Sequence, residues 1–382
     1  MESCDVLILG GGPAGASCAW ALQRAGLDVV VLDQAQFPRD KVCAGWITPP
    51  VLTTLEIDPQ GYGRDRVLQP ITGFRIGLMS RPPAEVRYPK TVSYGIRRCE
   101  FDDYLLRRSG ARLFTGEPVR SLRREAGTWR VDDRFRAPML VGAGGHTCPV
   151  ARALGAHPGG EPAVAAQEIE FLLPENAAAT CAVQGEQPEL YFCKDLAGYG
   201  WCFRKGDYLN IGLGRDDREG LAPQVEDFLT FLCRERGVTR PPGRLRGHAY
   251  LLYGRGRRNL LADGTLLVGD AAGLAYPESG EGIRPAVESG LLAAWTIIEA
   301  QGDFRAARLA PYPSRLRKRF GRGGSLAAAI PAGMRAMFAR GLFSHPRLLR
   351  RFILDQRFLR LTQEALAQSP PAANRCNVRT VL

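Results

Sequence analysis

Gly10, Gly12 and Gly15 stand at G-x-G-x-x-G spacing, and Asp33 follows about twenty residues later. Those residue types at that spacing can hold a dinucleotide. The first glycine permits a tight turn, the second lets backbone approach a pyrophosphate, and the third lets a helix pack on a strand. An acid at Asp33 can accept hydrogen bonds from a ribose hydroxyl. The motif suits the adenosine end of NAD or FAD equally.

The elements that must position these residues are readable around them. Cys4–Leu9 is an apolar run of strand length, Ala14–Ala25 reads as a small-residue helix, and Val29–Leu32 supplies a second buried strand closed by Asp33. The helix start offers free N–H groups and partial positive charge to phosphates. Two further strand-to-glycine passages follow, Met139–Gly145 and Leu266–Gly273. Gly280-Glu281-Gly282-Ile283 then precedes a helix rich in small residues. Between them, residues 160–250 alternate like strands, notably Val164–Phe171, Glu189–Phe192 and Trp201–Leu213.

At 382 residues the chain is long enough for two domains. No apolar run approaches the roughly 18–20 residues that span a bilayer. The N-terminus enters the first strand with no basic leader, so the expected location is cytoplasmic. Ten scattered cysteines without a C-x-x-C pair, and four histidines, predict no metal site. His146, His157, His248 and His345 read as structural or exposed. Residues 301–382 carry sixteen Lys+Arg against three Asp+Glu, while the rest is close to neutral.

Five passages in order resemble the geranylgeranyl reductase family of flavoproteins, which shares its fold with the para-hydroxybenzoate hydroxylase type of FAD monooxygenase. They are Gly10–Gly15 with Asp33; Lys41-Val42-Cys43; Arg98 with Phe101-Asp102; Gly198-Tyr199-Gly200-Trp201-Cys202-Phe203 continuing to Gly214; and Gly269–Gly273 with Pro277, Gly280–Ile283 and Ser289-Gly290. The resemblance implies an α/β fold with an α+β insert: a Rossmann-like FAD-binding domain, an inserted antiparallel-sheet substrate domain, and a helical C-terminal region. The expected FAD-binding domain is residues 1–65, 95–160 and 250–300. The expected substrate domain is 66–94 and 161–249, with 301–382 as a basic helical region.

The resemblance also implies roles. FAD is the cofactor, with Asp270 on the ribitol, Gly282 and Ile283 at the flavin's pyrimidine edge, Arg98 toward the phosphates and Cys43 against the ring. Pro13, Ala14, Ala44, Trp46, Val119 and Gly280 join Gly10, Gly12, Gly15 and Asp33 as cofactor contacts. Tyr199, Trp201 and Phe203, at period two, are expected to line a pocket for a hydrophobic small molecule. Arg204 would set a cation at its mouth, where the family has proline. Cys43 and Tyr199 are the candidate proton donors.

The chain departs from the wider fold family at Gly142-Ala143-Gly144-Gly145, which lacks the usual acid, and at Trp46 after the cysteine loop. The first departure weakens direct NAD(P)H docking, so the electron donor, NAD(P)H or a reduced carrier protein, stays open. The expected reaction is reduction of carbon–carbon double bonds in an isoprenoid or similar lipid. An FAD monooxygenase or halogenase, and a non-catalytic flavoprotein partner, are the alternatives. Gly273 replaces the histidine usual in hydroxylases, and no Trp-x-Trp-x-Ile-Pro segment marks a halogenase. The basic region 301–382, with Arg315–Arg322 and Arg347–Arg360, reads as a solvated helical face or as a peripheral contact with a membrane surface. No recognition motif points to nucleic acid.

Overall fold

The computed structural model describes residues 1–79, 81–157, 161–216, 219–255, 258–321, 343 and 345–367. Arg322 of the basic cluster and the end of the chain after 367 lie outside the described residues.

The apolar runs found at the N-terminus and after Pro138 assemble into one parallel sheet. Val6–Leu9 lies between Val29–Asp33 and Met139–Gly142; Arg112–Thr115 and Thr265–Leu267 extend it on either side, and Leu261–Ala262 adds an antiparallel edge. Strands buried on both faces read as continuous apolar runs, and helices must cover them. Pro13–Arg24 and Ile283–Ala300 pack against each other there, and Arg98–Arg108 packs beside the first. The core of this layer is aliphatic.

The residues at period two form the second sheet. Its order is Arg246–Leu251, Ala163–Leu172, Tyr208–Arg215, Gly198–Lys205, Glu189–Phe192, Gly73–Leu78 and Ala84–Arg87. Alternation gives each strand two faces with different duties. Cys202, Tyr191, Leu213 and their neighbours meet the helix Leu221–Arg236 on one face. Phe74, Leu190, Trp201 and Phe203 build an aromatic core on the other. A small sheet of Trp46–Ile47, Ser93–Ile96 and Leu68–Ile71 bridges the two layers.

One boundary needs adjustment. The division drawn at 249/250 falls inside the strand Arg246–Leu251, because that strand pairs with Ala163–Leu172 along its full length. Residues 346–358 are helical, as the resemblance implies. Leu349, Leu354, Phe358 and Leu359 are buried in the aromatic core, against Phe74, Trp201 and Phe203.

Candidate active site

The glycine turn after Leu9 places the start of the Pro13–Arg24 helix over the ends of the parallel strands. Gly10 takes φ +115°, and a Cβ at Gly15 would collide with the Gly10 carbonyl oxygen. Both positions therefore require glycine for packing. Gly12 differs. A Cβ there would meet only Arg39 Nη2, at 3.5 Å, so the backbone is open on that side. No side chain caps this helix, which leaves the N–H groups near Ala14 and Gly15 available.

Arg39 and Arg98 converge on the same place. Arg98 holds the fully buried Asp102 through two bonds of 2.8 Å. Burial opposes the guanidinium charge, but Asp102 and the Cys43 sulfur outweigh it and raise the Arg98 pKa. Arg39 approaches Asp102 at 3.2 Å, yet its buried Nη1 has no hydrogen-bond acceptor among the described residues. An uncapped helix start beside a guanidinium with hydrogen-bonding capacity to spare is the donor set that a pyrophosphate needs. Asp33 accepts from the Gly11 and Ala35 N–H groups at 2.7 and 2.8 Å. Val119 lies half-buried against the same core, beyond the outer strand Arg112–Thr115.

The second glycine passage comes back to this cleft. Asp270 sits on the turn Gly269–Ala272, and a Cβ on Gly282 would lie 3.3 Å from its carboxylate. The helix Ile283–Ala300 starts at Gly282 without a side-chain cap. Gly280 holds φ +67° with Tyr250 beside it. Burial alone would raise Asp270; His248, 3.9 Å away, and the Lys41 and Arg98 charges reverse that and lower its pKa. Lys41 Nζ reaches His248 at 2.8 Å, and burial lowers the Lys41 pKa to about 8. These residues suit FAD: free backbone donors at two helix starts, carboxylates set for hydroxyls, and cations around the phosphate position.

Beyond Cys43 the aromatic wall begins. Trp46 packs against Phe74, Phe203 and Phe358 with ring centroids 5.3, 5.7 and 5.9 Å apart. Its buried Nε1 has no hydrogen-bond partner among the described residues. Tyr199 contacts Trp201, Phe192 and Phe358. The Tyr199 hydroxyl donates to the Ser279 carbonyl oxygen, and burial raises its pKa well above the usual range. Tyr199, Trp201 and Phe203 do share a face, as their spacing predicts.

Arg204 does not set a cation at this wall. Alternation turns it to the other side, where it bonds the Gly206 carbonyl in an exposed turn. Lys205 falls on the aromatic side instead. It is 1% exposed, donates to the carbonyls of Ala44 and Ile96, and pairs with Glu170. Lys41 and Asn210 belong to the passages that carry the resemblance but were given no role, and His248 was read as structural or exposed. Lys205, Glu168 and Glu170 were not singled out by sequence, although Lys205 continues the period of Tyr199, Trp201 and Phe203.

A family model described as FAD dependent oxidoreductase matches residues 5–77. The protein is an FAD-dependent oxidoreductase. A menaquinone reductase of Mycobacterium tuberculosis is 31% identical over 355 residues, covering 86% of this chain and 83% of that protein. A digeranylgeranylglycerophospholipid reductase of Methanothrix thermoacetophila is 28% identical, covering 84% of each. The crystal structure of a geranylgeranyl bacteriochlorophyll reductase-like protein from Thermoplasma acidophilum superposes with a TM-score of 0.72 at 22% identity, over 92% of this chain and 91% of that one. The chain belongs to the geranylgeranyl reductase family of FAD-dependent oxidoreductases.

Proposed function

We propose that this enzyme reduces carbon–carbon double bonds in the isoprenoid part of a lipid-like substrate. The observation that carries this reading is the aromatic wall around Trp46, Tyr199, Trp201 and Phe203, which starts where the Cys43 loop ends. A wall of rings with few polar groups suits a hydrocarbon chain. The names of the mycobacterial and archaeal relatives support a lipid-like substrate.

In this reading Gly10, Gly12, Pro13, Ala14 and Gly15 hold the FAD pyrophosphate, with Arg39 and Arg98 beside it. Asp33 and Val119 serve the adenosine end. Asp270 takes the ribitol, Gly280, Gly282 and Ile283 the pyrimidine edge, and Cys43, Ala44 and Trp46 the ring face. Reduced FAD, when bound, supplies hydride. The chain's own tasks are to orient the alkene, exclude water and deliver a proton. Tyr199 is poorly suited to the last, because its hydroxyl is committed to Ser279 and burial strengthens its hold on the proton. Cys43, between cradle and wall, is the better donor.

The test is anaerobic reduction of the purified protein followed by a polyprenyl substrate, then the same with O₂ admitted. Flavin reoxidation without O₂ and a product heavier by two hydrogens is the expected result. Oxygen incorporation would favour the monooxygenase reading, and no turnover over a broad panel a non-catalytic partner.

The same substrate class supports a peripheral membrane contact. Among the described residues no helix is long and apolar enough to cross a membrane. Much of the basic cluster is used internally: Arg315 by Glu299, Arg319 by Glu288, and Arg360 by Glu278. Leu348 and Phe352 are exposed beside Arg347 and Arg351, the pairing an interfacial segment presents to anionic lipid. Replacing Leu348 and Phe352 with serine should reduce co-sedimentation with anionic liposomes; unchanged binding would remove this patch as the contact.

A further inference from the structure

Three consecutive residues of the cysteine loop are held from outside it. The Cys43 N–H donates to Glu168 Oε2 at 2.9 Å, and the Cys43 carbonyl accepts from Asn210 Nδ2 at 3.1 Å. The Ala44 carbonyl accepts from Lys205 Nζ at 3.1 Å, and the Gly45 carbonyl from the Ile96 N–H at 2.7 Å. Asn210 Nδ2 also donates to Glu168 Oε1 at 2.8 Å, while Asn210 Oδ1 accepts from Trp201 Nε1 at 2.8 Å.

The last bond fixes the others. An indole N–H only donates, so the Asn210 oxygen must face Trp201 and its NH₂ must face Glu168. Both partners of Glu168, the Cys43 N–H and the Asn210 amide, are then donors. Glu168 has to accept on both oxygens, which is the natural state of a carboxylate and not of a carboxylic acid. Glu168 is 6% exposed, and the nearby Lys205 is committed to Glu170, which Arg97 also holds at 3.1 Å.

We propose that Glu168 is a positioning residue: its carboxylate fixes the Cys43 backbone and, through Asn210, ties that position to Trp201 of the aromatic wall. The proposal rests on the reading that the Cys43 loop borders the flavin. A substrate that moves the Trp201 ring is thereby felt at Cys43. The clamp also responds to pH. Burial pushes the Glu168 carboxyl up to about 7, against the Cys43 hydrogen bond and the Lys205 charge and with the Glu170 charge. A proton on either oxygen replaces an acceptor with a donor, so the clamp slackens as pH falls through that value. The titratable or charged groups facing it are Glu170 and Lys205 on the sheet, Arg246 directly across the neighbouring strand and paired with Asp40, Cys43 on the loop, and Arg97 behind Glu170.

The experiment follows N-ethylmaleimide alkylation of Cys43 in the FAD-loaded protein, peptide by peptide, by mass spectrometry. Glutamine keeps the shape of Glu168 but offers one acceptor to two donors, so Glu168→Gln should speed Cys43 alkylation about fivefold at pH 8. Cys233, on the helix behind the sheet, should keep its rate. If Cys233 accelerates too, the variant has lost its fold and the wild-type pH profile decides. A thiol in a fixed site loses about tenfold in rate per pH unit below its pKa, whereas a slackening clamp makes the fall for Cys43 shallower below pH 7. An unchanged Cys43 rate in a folded Glu168→Gln, or a full tenfold slope in the wild type, overturns the proposal. The flavin spectrum separates the two readings. If the variant speeds alkylation but modified Cys43 leaves the flavin absorption unmoved, the clamp stands and the placement of the loop at the flavin fails.

Discussion

The cradle at Gly10–Gly15 and the wall at Tyr199–Phe203 are built by opposite means. The cradle is backbone from one continuous stretch, where strand, turn and helix follow in order and small residues are required because main chain touches main chain. The wall is side chain gathered from Trp46, Phe74, Phe192, Tyr199–Phe203 and Phe358, segments that meet only through sheet register and the returning C-terminus. Backbone recognition tolerates almost no local change but is indifferent to the rest of the ligand. A wall of rings tolerates change one residue at a time, and can be altered to fit another chain length while the cradle stays fixed.

The sharpest break of that comparison lies within the glycine turn. Gly15→Ala drives a methyl into the Gly10 carbonyl and should cost about 4 kcal/mol or more, leaving little folded protein by circular dichroism. Gly12→Ala has room and should fold normally, yet lose most of its flavin, because the methyl stands where phosphate oxygens must approach. Flavin retained in Gly12→Ala would mean that the open side of the turn is not the cofactor side. At the wall, Phe358→Ala should cost about 3 kcal/mol of stability and raise KM for a polyprenyl substrate about tenfold, with flavin content unchanged. Equal loss of flavin would show that cradle and wall are one inseparable site.

The two regions also differ in how far sequence exposes them. The strand, glycine turn, helix and second strand through Asp33 were legible because they follow one another without a break in the chain. Tyr199, Trp201 and Phe203 were legible as a shared face for the same reason. Glu168 and Cys43 are 125 residues apart and touch only because two sheets meet, so no local pattern announces the pair. His248, read as structural or exposed, lies against Lys41 across 207 residues. The basic tail was legible only in part: net charge records what a segment carries, not that Arg319 and Arg360 are spent on Glu288 and Glu278.

A smaller effect is expected from pH. Burial pushes Glu281, at the start of the helix Ile283–Ala300, and Glu168, under the Cys43 loop, each up to about 7. Both bind their proton more tightly folded than unfolded. The stability they contribute is therefore complete below the ordinary carboxylate range and is lost as pH rises through about 7. Thermal unfolding should show a decline of about 1 kcal/mol or more between pH 6 and 8. Glu281→Gln should remove part of that decline, and Glu168→Gln a further part. A slope unchanged in both variants would mean that neither carboxyl is buried as its surroundings indicate.

The smallest effect should come from Tyr199→Phe, and it divides the two proton-donor candidates. The substitution removes one hydrogen bond to the Ser279 carbonyl, next to Gly280 and the helix that starts at Gly282. One such bond is worth about 1 kcal/mol, so turnover should fall less than about tenfold, with the ring still filling its place against Phe192 and Phe358. Cys43→Ala removes the thiol itself and should slow the proton-dependent step about a hundredfold while leaving KM near its original value. Solvent isotope effects on single-turnover flavin reoxidation read that step directly. A larger loss in Tyr199→Phe than in Cys43→Ala would reverse the assignment and move the chemistry from the loop of the cradle to the wall.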